Sequence, residues 1–339
     1  MLSASDGPLW DAYDLAMLDL DGVVYIGGDA VPGAAEHLAA AREAGLRLAF
    51  VTNNASRPPS RVSSHLTELG VEAEESDVVT SAQAAASVLR ERLGEGGRVV
   101  VLGGEGLHEA VTAAGLEPVA VDAEADAVAT GYGPEVVWAD IMRAAVRIRD
   151  GLWWVASNTD MTIPTAFGVA PGHGVLVETL RRFAEVEPVV AGKPARPLLD
   201  ETVRRVGGRR PLMVGDRLDT DIEGAANAEV DSLLVLTGVT GLPELVAARP
   251  EERPTFIGAD LAALGTAHAA PQDDGGRWSL EGWEASVDDG RLRVSGDGDA
   301  DDWWRVVAAA AWAWRDEHDA EVDTDGVEPP RSGTDTAGR

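Results

Sequence analysis

The chain has 339 residues, 45% of them hydrophobic, which is enough to bury the cores of two domains. It contains no cysteine, so disulfides, thiolate metal sites and cysteine nucleophiles are excluded. A formal net charge of −30 argues against nucleic acid or anionic membrane as partner, because both need basic patches. The six histidines are scattered and lack the close pairing of a zinc site. No basic-then-apolar leader occurs, nor any apolar run of about 18 residues, and these features predict a soluble, cytoplasmic protein.

The first element is the apolar run Leu15-Ala16-Met17-Leu18, which reads as a buried parallel strand and leads into Asp19-Leu20-Asp21-Gly22. Strand alternation sends Asp19 and Asp21 to one side as the chain leaves the sheet. In open α/β sheets, ligands bind beyond the carboxyl ends of the strands, where this pair falls. Two neighbouring carboxylates need a cation between them or a proton on one of them. Both solutions suit phosphoryl transfer, with one aspartate as nucleophile, the other as general acid/base, and a divalent metal bridging to the phosphate. An EF-hand loop would want acids or amides where Val23 and Ala30 stand, and a preceding helix in place of a strand. A solvated turn with incidental aspartates is the remaining alternative.

Downstream, Gly27-Gly28-Asp29 marks a turn, and Pro32-Gly33 introduces a helix over 34–44. A strand over 47–51 ends in Thr52-Asn53-Asn54. Helices follow over 58–69, closed by Gly70, and over 81–93. A second series runs from about 98 to 187, with strands over 99–102, 127–129 and 153–156 and helices over 107–114, 135–149 and 174–185. Gly103-Gly104-Glu105-Gly106 lacks the spacing of a nucleotide loop and reads as a helix-start turn. After Pro188-Val189-Val190-Ala191 comes Lys193, the single lysine among 28 basic residues. A compact ammonium fits beside a phosphate and carboxylates where a planar guanidinium would not. A chance surface lysine is the plainer reading.

The first series then resumes with a helix over 197–206 and a strand over 211–214 that runs into Gly215-Asp216-Arg217-Leu218-Asp219-Thr220-Asp221. A further strand covers 232–236. Such alternation gives a parallel sheet with helices on both faces. Asp216 and Asp221 could merely dress a helix N-terminus. Joined with Asp19 and Asp21, however, they call for a cation, and oxygen ligands without a nearby histidine point to Mg2+.

The C-terminal part opens with a Pro-Gln-Asp-Asp-Gly-Gly linker from Pro271. One strand carries Trp278, Leu280 and Trp283, a hairpin turn falls at Asp288-Asp289-Gly290, and a second strand covers 291–294. Asp301-Asp302 is read as the cap of a helix that aligns Trp303, Val306, Val307, Ala310 and Trp314 on one face. Six of the ten tryptophans lie beyond residue 270; the stripe reads as packing, with a peptide- or ligand-binding surface as the alternative. From Glu321 the chain reads as a disordered tail.

Four segments in order resemble the haloacid dehalogenase superfamily: Asp19-x-Asp21-Gly22-Val23, Thr52-Asn53-Asn54, Lys193, and Gly215-Asp216 with Asp221. The insertion between the second and third, with Val51-Thr52-Asn53-Asn54 and the Gly215–Ile222 phrase, is similar to the class IIA phosphatases. The resemblance implies an α/β protein: a Rossmann-like core with a parallel sheet (residues 1–85 and 190–268), an inserted α/β cap of the class IIA kind (86–189), a hairpin-plus-helix extension (272–320) and a tail (321–339). It implies Asp19 as nucleophile forming a phospho-aspartyl intermediate, and Asp21 as general acid/base. It implies Mg2+ held by Asp19, the Asp21 backbone carbonyl and Asp216, with Asp221 in support. Thr52, Asn53, Asn54 and Lys193 would bind the transferring phosphate.

Dehalogenases and ion-pumping ATPases of the superfamily lack an aspartate at the second position, so Asp21 favours phosphate-ester hydrolysis. Asp160, Met161 and Ile163 fall in what looks like the specificity loop of the cap. Ile163 stands where pyridoxal phosphatases place a ring-contacting histidine, which weakens that substrate. His173 replaces the usual Asn or Thr and reads as a helix-start variation.

The extension, with Thr80-Ser81-Ala82-Gln83 and Val239-Thr240-Gly241, resembles actinobacterial glycerol-3-phosphate phosphatases, whose tail is similar to part of an acyltransferase domain. Too little of that domain is present for a coenzyme A site, so no transferase activity is expected. The expected partner is a small phosphorylated metabolite, glycerol 3-phosphate first, with phosphoglycolate, nucleotide or broad specificity as the alternative. Nucleic acid and membrane are not expected, and homo-oligomerisation stays open. From other classes, a catalytically silent binding protein with a tryptophan-rich partner surface, or a phosphotransferase, would leave the same motifs.

Overall fold

The computed structural model describes residues 1–165 and 167–330, which form two compact units. Met1–Leu48 and the chain from Gly208 onward make the first, and Ala49–Gly207 makes the second.

In the first unit, four parallel strands lie in the order Leu15–Leu18, Pro211–Gly215, Asp231–Val235, Phe256–Gly258. Leu15 is in register with Pro211 and Leu18 with Val214, so these two strands end level. Every residue of Leu15–Leu18 is buried, the unbroken apolar pattern of a strand covered on both faces. The expected helix is present over Ala34–Glu43, and Gly45 (φ +97°) lies just past its end. The Gly27-Gly28 turn belongs to a small hairpin pairing Tyr25–Ile26 with Asp29–Ala30. The Phe256–Gly258 strand is absent from the sequence reading, because three residues show no periodicity.

The C-terminal extension is larger than the predicted hairpin. Strands Gln272–Asp274, Arg277–Leu280, Trp283–Asp288 and Arg291–Gly296 form an antiparallel meander in chain order. Its loops are Gly275-Gly276, Glu281-Gly282 and Asp289-Gly290, each with positive φ at both residues. That is the signature of tight I′ turns, whose twist matches that of paired strands. The stretch read as a linker therefore supplies a strand and a turn, and the single strand expected through Trp283 folds back at Gly282. Helix Ala300–His318 follows, capped by the Asp299 side chain, which accepts the Asp301 N–H over 2.8 Å; Asp301 and Asp302 are not its cap but lie in its first turn.

The helix shares one hydrophobic core with the sheet: Trp278, Trp303 and Trp312 pack with Leu234, Leu245 and Ile257. The expected tail is corrected over 321–330. Asp323 bridges to Arg291, giving its carbonyl to the Leu292 N–H over 2.9 Å and its own N–H to the Gly290 carbonyl over 2.8 Å, while Val322 and Val327 pack on the core. Residues 331–339, the rest of the expected tail, lie outside the described residues.

In the second unit, five parallel strands lie in the order Val189–Val190, Trp153–Ala156, Ala127–Thr130, Arg98–Leu102, Glu117–Val119. Helices Glu105–Ala113, Trp138–Arg149 and His173–Ala184 accompany them, and Val100, Val128, Ile148, Trp154 and Leu180 form the core. The second of these helices begins at Trp138, not at Glu135, which lies in the preceding turn. The unit also holds Phe50–Thr52 paired in parallel with Val78–Thr80. Helix Ser81–Leu93 opens on a reciprocal cap between Thr80 and Gln83. Among the described residues no helix is long and apolar enough to cross a membrane.

Candidate active site

The first unit concentrates its acids where two strands end together. The Asp19 N–H donates to the Val214 carbonyl over 2.8 Å, continuing the ladder one residue past Leu18. On the neighbouring strand, Gly215-Asp216 leads into a π-helical turn over Leu218–Ile222. A Cβ at Gly215 would overlap the Asp221 side chain, so glycine is what lets this turn fold back on the strand. Asp221 is tied into the turn by its own N–H to the Arg217 carbonyl (3.0 Å) and by the Arg217 N–H to its Oδ2 (3.1 Å). Leu218 and Ile222 point into the core shared with the extension.

The result is a triad: Asp19, Asp216 and Asp221 each offer an oxygen within 4.8 Å of the others, and the last two are fully buried. Asp219, two residues from Asp221, is exposed and paired with the Arg217 guanidinium at 3.0 and 2.8 Å. Only alternate acids of the turn thus face inward.

The surroundings of Asp216 are built closely. Its Oδ2 accepts the Val239 N–H at 2.7 Å, and its backbone carbonyl accepts the Thr240 hydroxyl at 2.6 Å. Thr237 donates its hydroxyl to the Gly22 carbonyl at 2.5 Å. Gly22 has φ +93°, and a Cβ there or at Gly238 would collide with the Asp216 carboxylate. These contacts explain the glycine after Asp21 and give Val239-Thr240 a task that sequence alone did not reveal. An all-oxygen set of three carboxylates, free of histidine and walled by backbone, fits a hard divalent cation such as Mg2+.

Asp21 stands apart from the triad at the mouth of the small hairpin, bridged to Tyr25, whose carbonyl accepts the Gly22 N–H at 2.7 Å. Although its side chain is exposed, the surrounding protein raises its pKa above the ordinary carboxylate value, against the pull of the Gly27 N–H. A carboxyl with a raised pKa can carry a proton to a leaving group.

The second unit gathers the other predicted residues around Asn53. Its Oδ1 accepts the Lys193 N–H at 2.8 Å and its Nδ2 donates to the Lys193 carbonyl at 2.9 Å, so one carboxamide grips both sides of the lysine backbone. Lys193 itself is 2% exposed. A Cβ on Gly192 would lie 2.6 Å from Asn53 Oδ1 and from the Ser157 carbonyl, which accounts for the glycine before the lysine. Asn53 Nδ2 also donates to Asp160 Oδ1 at 3.0 Å. Its backbone carbonyl takes the Ser81 hydroxyl and the Asn158 Nδ2, both at 2.6 Å. Ser81 and Asn158 are polar and fully buried, which no sequence pattern announced.

The other predicted residues spread out from this centre. Thr52 is buried and its hydroxyl accepts the Asn54 N–H at 3.1 Å. Asn54 turns its side-chain oxygen to the Ser56 N–H (2.9 Å) and hydroxyl (2.8 Å), a local turn. Asp160 stands at Asn53, while Met161 is 55% exposed. Ile163 lies half-buried on a hairpin, Thr162–Thr165 with Gly168–Pro171, where a loop was expected. His173 is the first residue of its helix, 3% exposed, with Nδ1 at 2.8 Å from the Asn158 carbonyl.

Comparison with known proteins agrees with this geometry. Residues 16–117 match the family described as haloacid dehalogenase-like hydrolase, and residues 190–264 match a second model of the same kind. A D-glycerol 3-phosphate phosphatase of Mycobacterium tuberculosis is 44% identical over 317 residues, 89% of this chain and 87% of that protein. An acid sugar phosphatase of Staphylococcus saprophyticus is 34% identical over 252 residues, 74% of this chain and 95% of that protein. Among solved structures, a glycerol phosphate phosphatase from Mycobacterium tuberculosis in complex with magnesium superposes with a TM-score of 0.82 at 42% identity, covering 91% of this chain and 92% of that one. A 4-nitrophenylphosphatase from Thermotoga maritima gives 0.70 at 29%, covering 76% and 98%. The chain belongs to the haloacid dehalogenase-like hydrolase family.

Proposed function

We propose that the chain is a magnesium-dependent phosphatase of small phosphate monoesters, with glycerol 3-phosphate as its substrate. The observation that carries the reaction class is the triad of Asp19, Asp216 and Asp221, a ligand set for a hard cation at the carboxyl end of a parallel sheet. When bound there, Mg2+ supplies positive charge to the phosphate oxygens.

Asp19 attacks the phosphorus, forming an acyl-phosphate bond as the ester P–O bond breaks. Asp21 gives its proton to the departing alkoxide, then takes one from the water that hydrolyses the phospho-aspartate, which restores both residues. Asp19, Asp216 and the Asp21 backbone carbonyl would hold the metal, with Asp221 in support. Thr52, the Asn53 backbone N–H, Asn54 and Lys193 would receive the phosphate, and donors fixed in advance are what phosphoryl transfer needs.

The substrate is supported by coverage. The glycerol 3-phosphate phosphatase relative aligns with 89% of the chain, whereas the acid sugar phosphatase aligns with 74%, at nearly its own full length. The C-terminal extension thus goes with the former. Broader use of sugar phosphates is the second reading, favoured by the latter. We place the substrate among free cytoplasmic metabolites, since a net charge of −30 repels polyanions. The test is kcat/KM across a panel of phosphorylated metabolites, with and without Mg2+. Glycerol 3-phosphate is expected to lead; no magnesium-dependent hydrolysis of any monoester would remove the proposal.

A further inference from the structure

We propose that His173 is a positioning residue that holds the phosphate-binding turn at Asn53 and Lys193 in register, acting through Asn158. This rests on the reading of Asn53 and Lys193 as phosphate ligands.

Three links connect them. The His173 ring meets the Asn158 carbonyl at 2.8 Å through Nδ1, which must carry the proton because a carbonyl only accepts. The Asn158 Nδ2 donates to the Asn53 carbonyl at 2.6 Å, while its Oδ1 accepts the Asp160 N–H at 3.2 Å. The Asn53 carboxamide in turn grips Lys193 on both sides of its backbone. These groups are shielded from bulk solvent: His173 and Asn158 are each 3% exposed and Lys193 is 2% exposed.

Packing fixes the imidazole where it is. Cβ atoms on Gly172 and Gly174 would overlap the Asp160 and Thr159 carbonyls, so the helix start is pressed onto the segment that carries Asn158. The Gly172 and Gly174 N–H groups bond to the Met161 and Asp160 carbonyls at 2.9 and 2.8 Å. With Nδ1 committed, Nε2 is a buried acceptor that has no hydrogen-bond partner among the described residues. The Nδ1 bond pins the Asn158 carbonyl, so that the carboxamide of the same residue faces Asn53.

The test compares His173→Leu with His173→Asn in the magnesium-loaded enzyme; the two residues are close in size, and only Asn keeps a donor. Inorganic phosphate, the product, serves as a competitive probe. His173→Leu is expected to raise the phosphate Ki and the substrate KM together by roughly fivefold to tenfold, the worth of one lost buried hydrogen bond. Because the same donors face the phosphoryl group in the transition state, kcat is expected to fall alongside, whereas a merely structural defect would leave Ki and KM of the folded enzyme unmoved. His173→Asn is expected to restore Ki. Asn158→Ala cuts the next link, should raise Ki equally, and decides the matter if His173→Leu does not fold. Equal Ki for the Leu and Asn variants, or an unchanged Ki in Asn158→Ala, overturns the inference. Lys193→Gln tests the reading beneath it: if that variant keeps the native Ki, the phosphate-site assignment itself is wrong, whatever His173 does.

Discussion

Trp312 donates its indole N–H to the Leu245 carbonyl over 2.8 Å, fastening the C-terminal helix to helix Leu242–Val246. Arg253 covers the same ring, with its guanidinium 5.5 Å from the centroid, and reaches Asp316 with two bonds of 2.7 Å. Deeper along the helix, Arg305 donates to the Ile257 carbonyl at 3.0 Å, while Asp301 accepts the Ala259 N–H at 2.6 Å. The extension is therefore part of the first unit's core and not an appendage. Trp312→Ala is expected to lower stability by about 3–5 kcal/mol, the usual range for a buried tryptophan. Urea unfolding measures it; a loss below about 1 kcal/mol would mean that the helix packs only loosely.

The sequence made the framework legible because most of its elements are long enough to carry a period and are punctuated by glycine or proline. Leu15–Leu18, Ser81–Leu93 and Pro197–Val206 fall where pattern places them. What escaped was short or non-local. Glu281-Gly282 looks like strand interior until both residues are seen at positive φ. Over 321–330 the chain is held by the bridge from Asp323 to Arg291, 32 residues earlier in numbering, and by Val322 and Val327 on the core, partners that no local signal names.

The site divides in the same way. Its acids and its lone lysine stood out by type and by position after strands. The residues that support them escaped because their partners are distant in sequence: the Ser81, Asn158 and Thr240 side chains donate to the Asn53 and Asp216 carbonyls, and the Val239 N–H donates to the Asp216 carboxylate.

Three carboxylate oxygens within 4.8 Å of one another repel, so a bound cation should stabilise the first unit. Mg2+ at about 100 times its dissociation constant is expected to add roughly 2.7 kcal/mol by mass action. Differential scanning calorimetry with Mg2+ and with EDTA reads this as a rise in Tm. In Asp216→Asn the magnesium-dependent rise should shrink or vanish, while the metal-free Tm holds or climbs as one charge is removed. A native-sized shift in that variant would place the cation elsewhere.

His268 is 1% exposed, with Nε2 on the Ala263 carbonyl at 2.9 Å and Phe256 edge-on at 5.1 Å. Burial, with the Arg305 charge adding to it, lowers its pKa to about 4. The unfolded chain binds this proton near pH 6.5, its ordinary value. Stability is therefore fully present above about pH 6.5, falls as pH drops towards 4, and levels off below that. The ceiling for this group is about 3 kcal/mol. His268→Gln keeps a donor for Ala263 and cannot titrate, so its Tm should fall less steeply between those pH values. Parallel curves for the native and variant proteins would show that His268 titrates normally.

The Asp21 side chain stands apart from the triad, and partial burial of its carboxyl among the surrounding atoms raises its pKa. A group that can hold a proton beside a departing oxygen matters most when that oxygen is a poor leaving group. Alkyl phosphates expel an alkoxide that must be protonated, whereas 4-nitrophenyl phosphate expels a stable phenolate. Asp21→Asn should therefore lose roughly 10²–10⁴-fold in kcat with glycerol 3-phosphate and much less in formation of the phospho-enzyme from the aryl ester. Because water must still be deprotonated in the second step, the aryl substrate should show a burst of nitrophenolate followed by slow turnover. Rapid-quench and steady-state rates on the two substrates separate these effects. Equal losses on both in the first step, with no burst, would strip Asp21 of the acid role and leave it a structural part of the small hairpin.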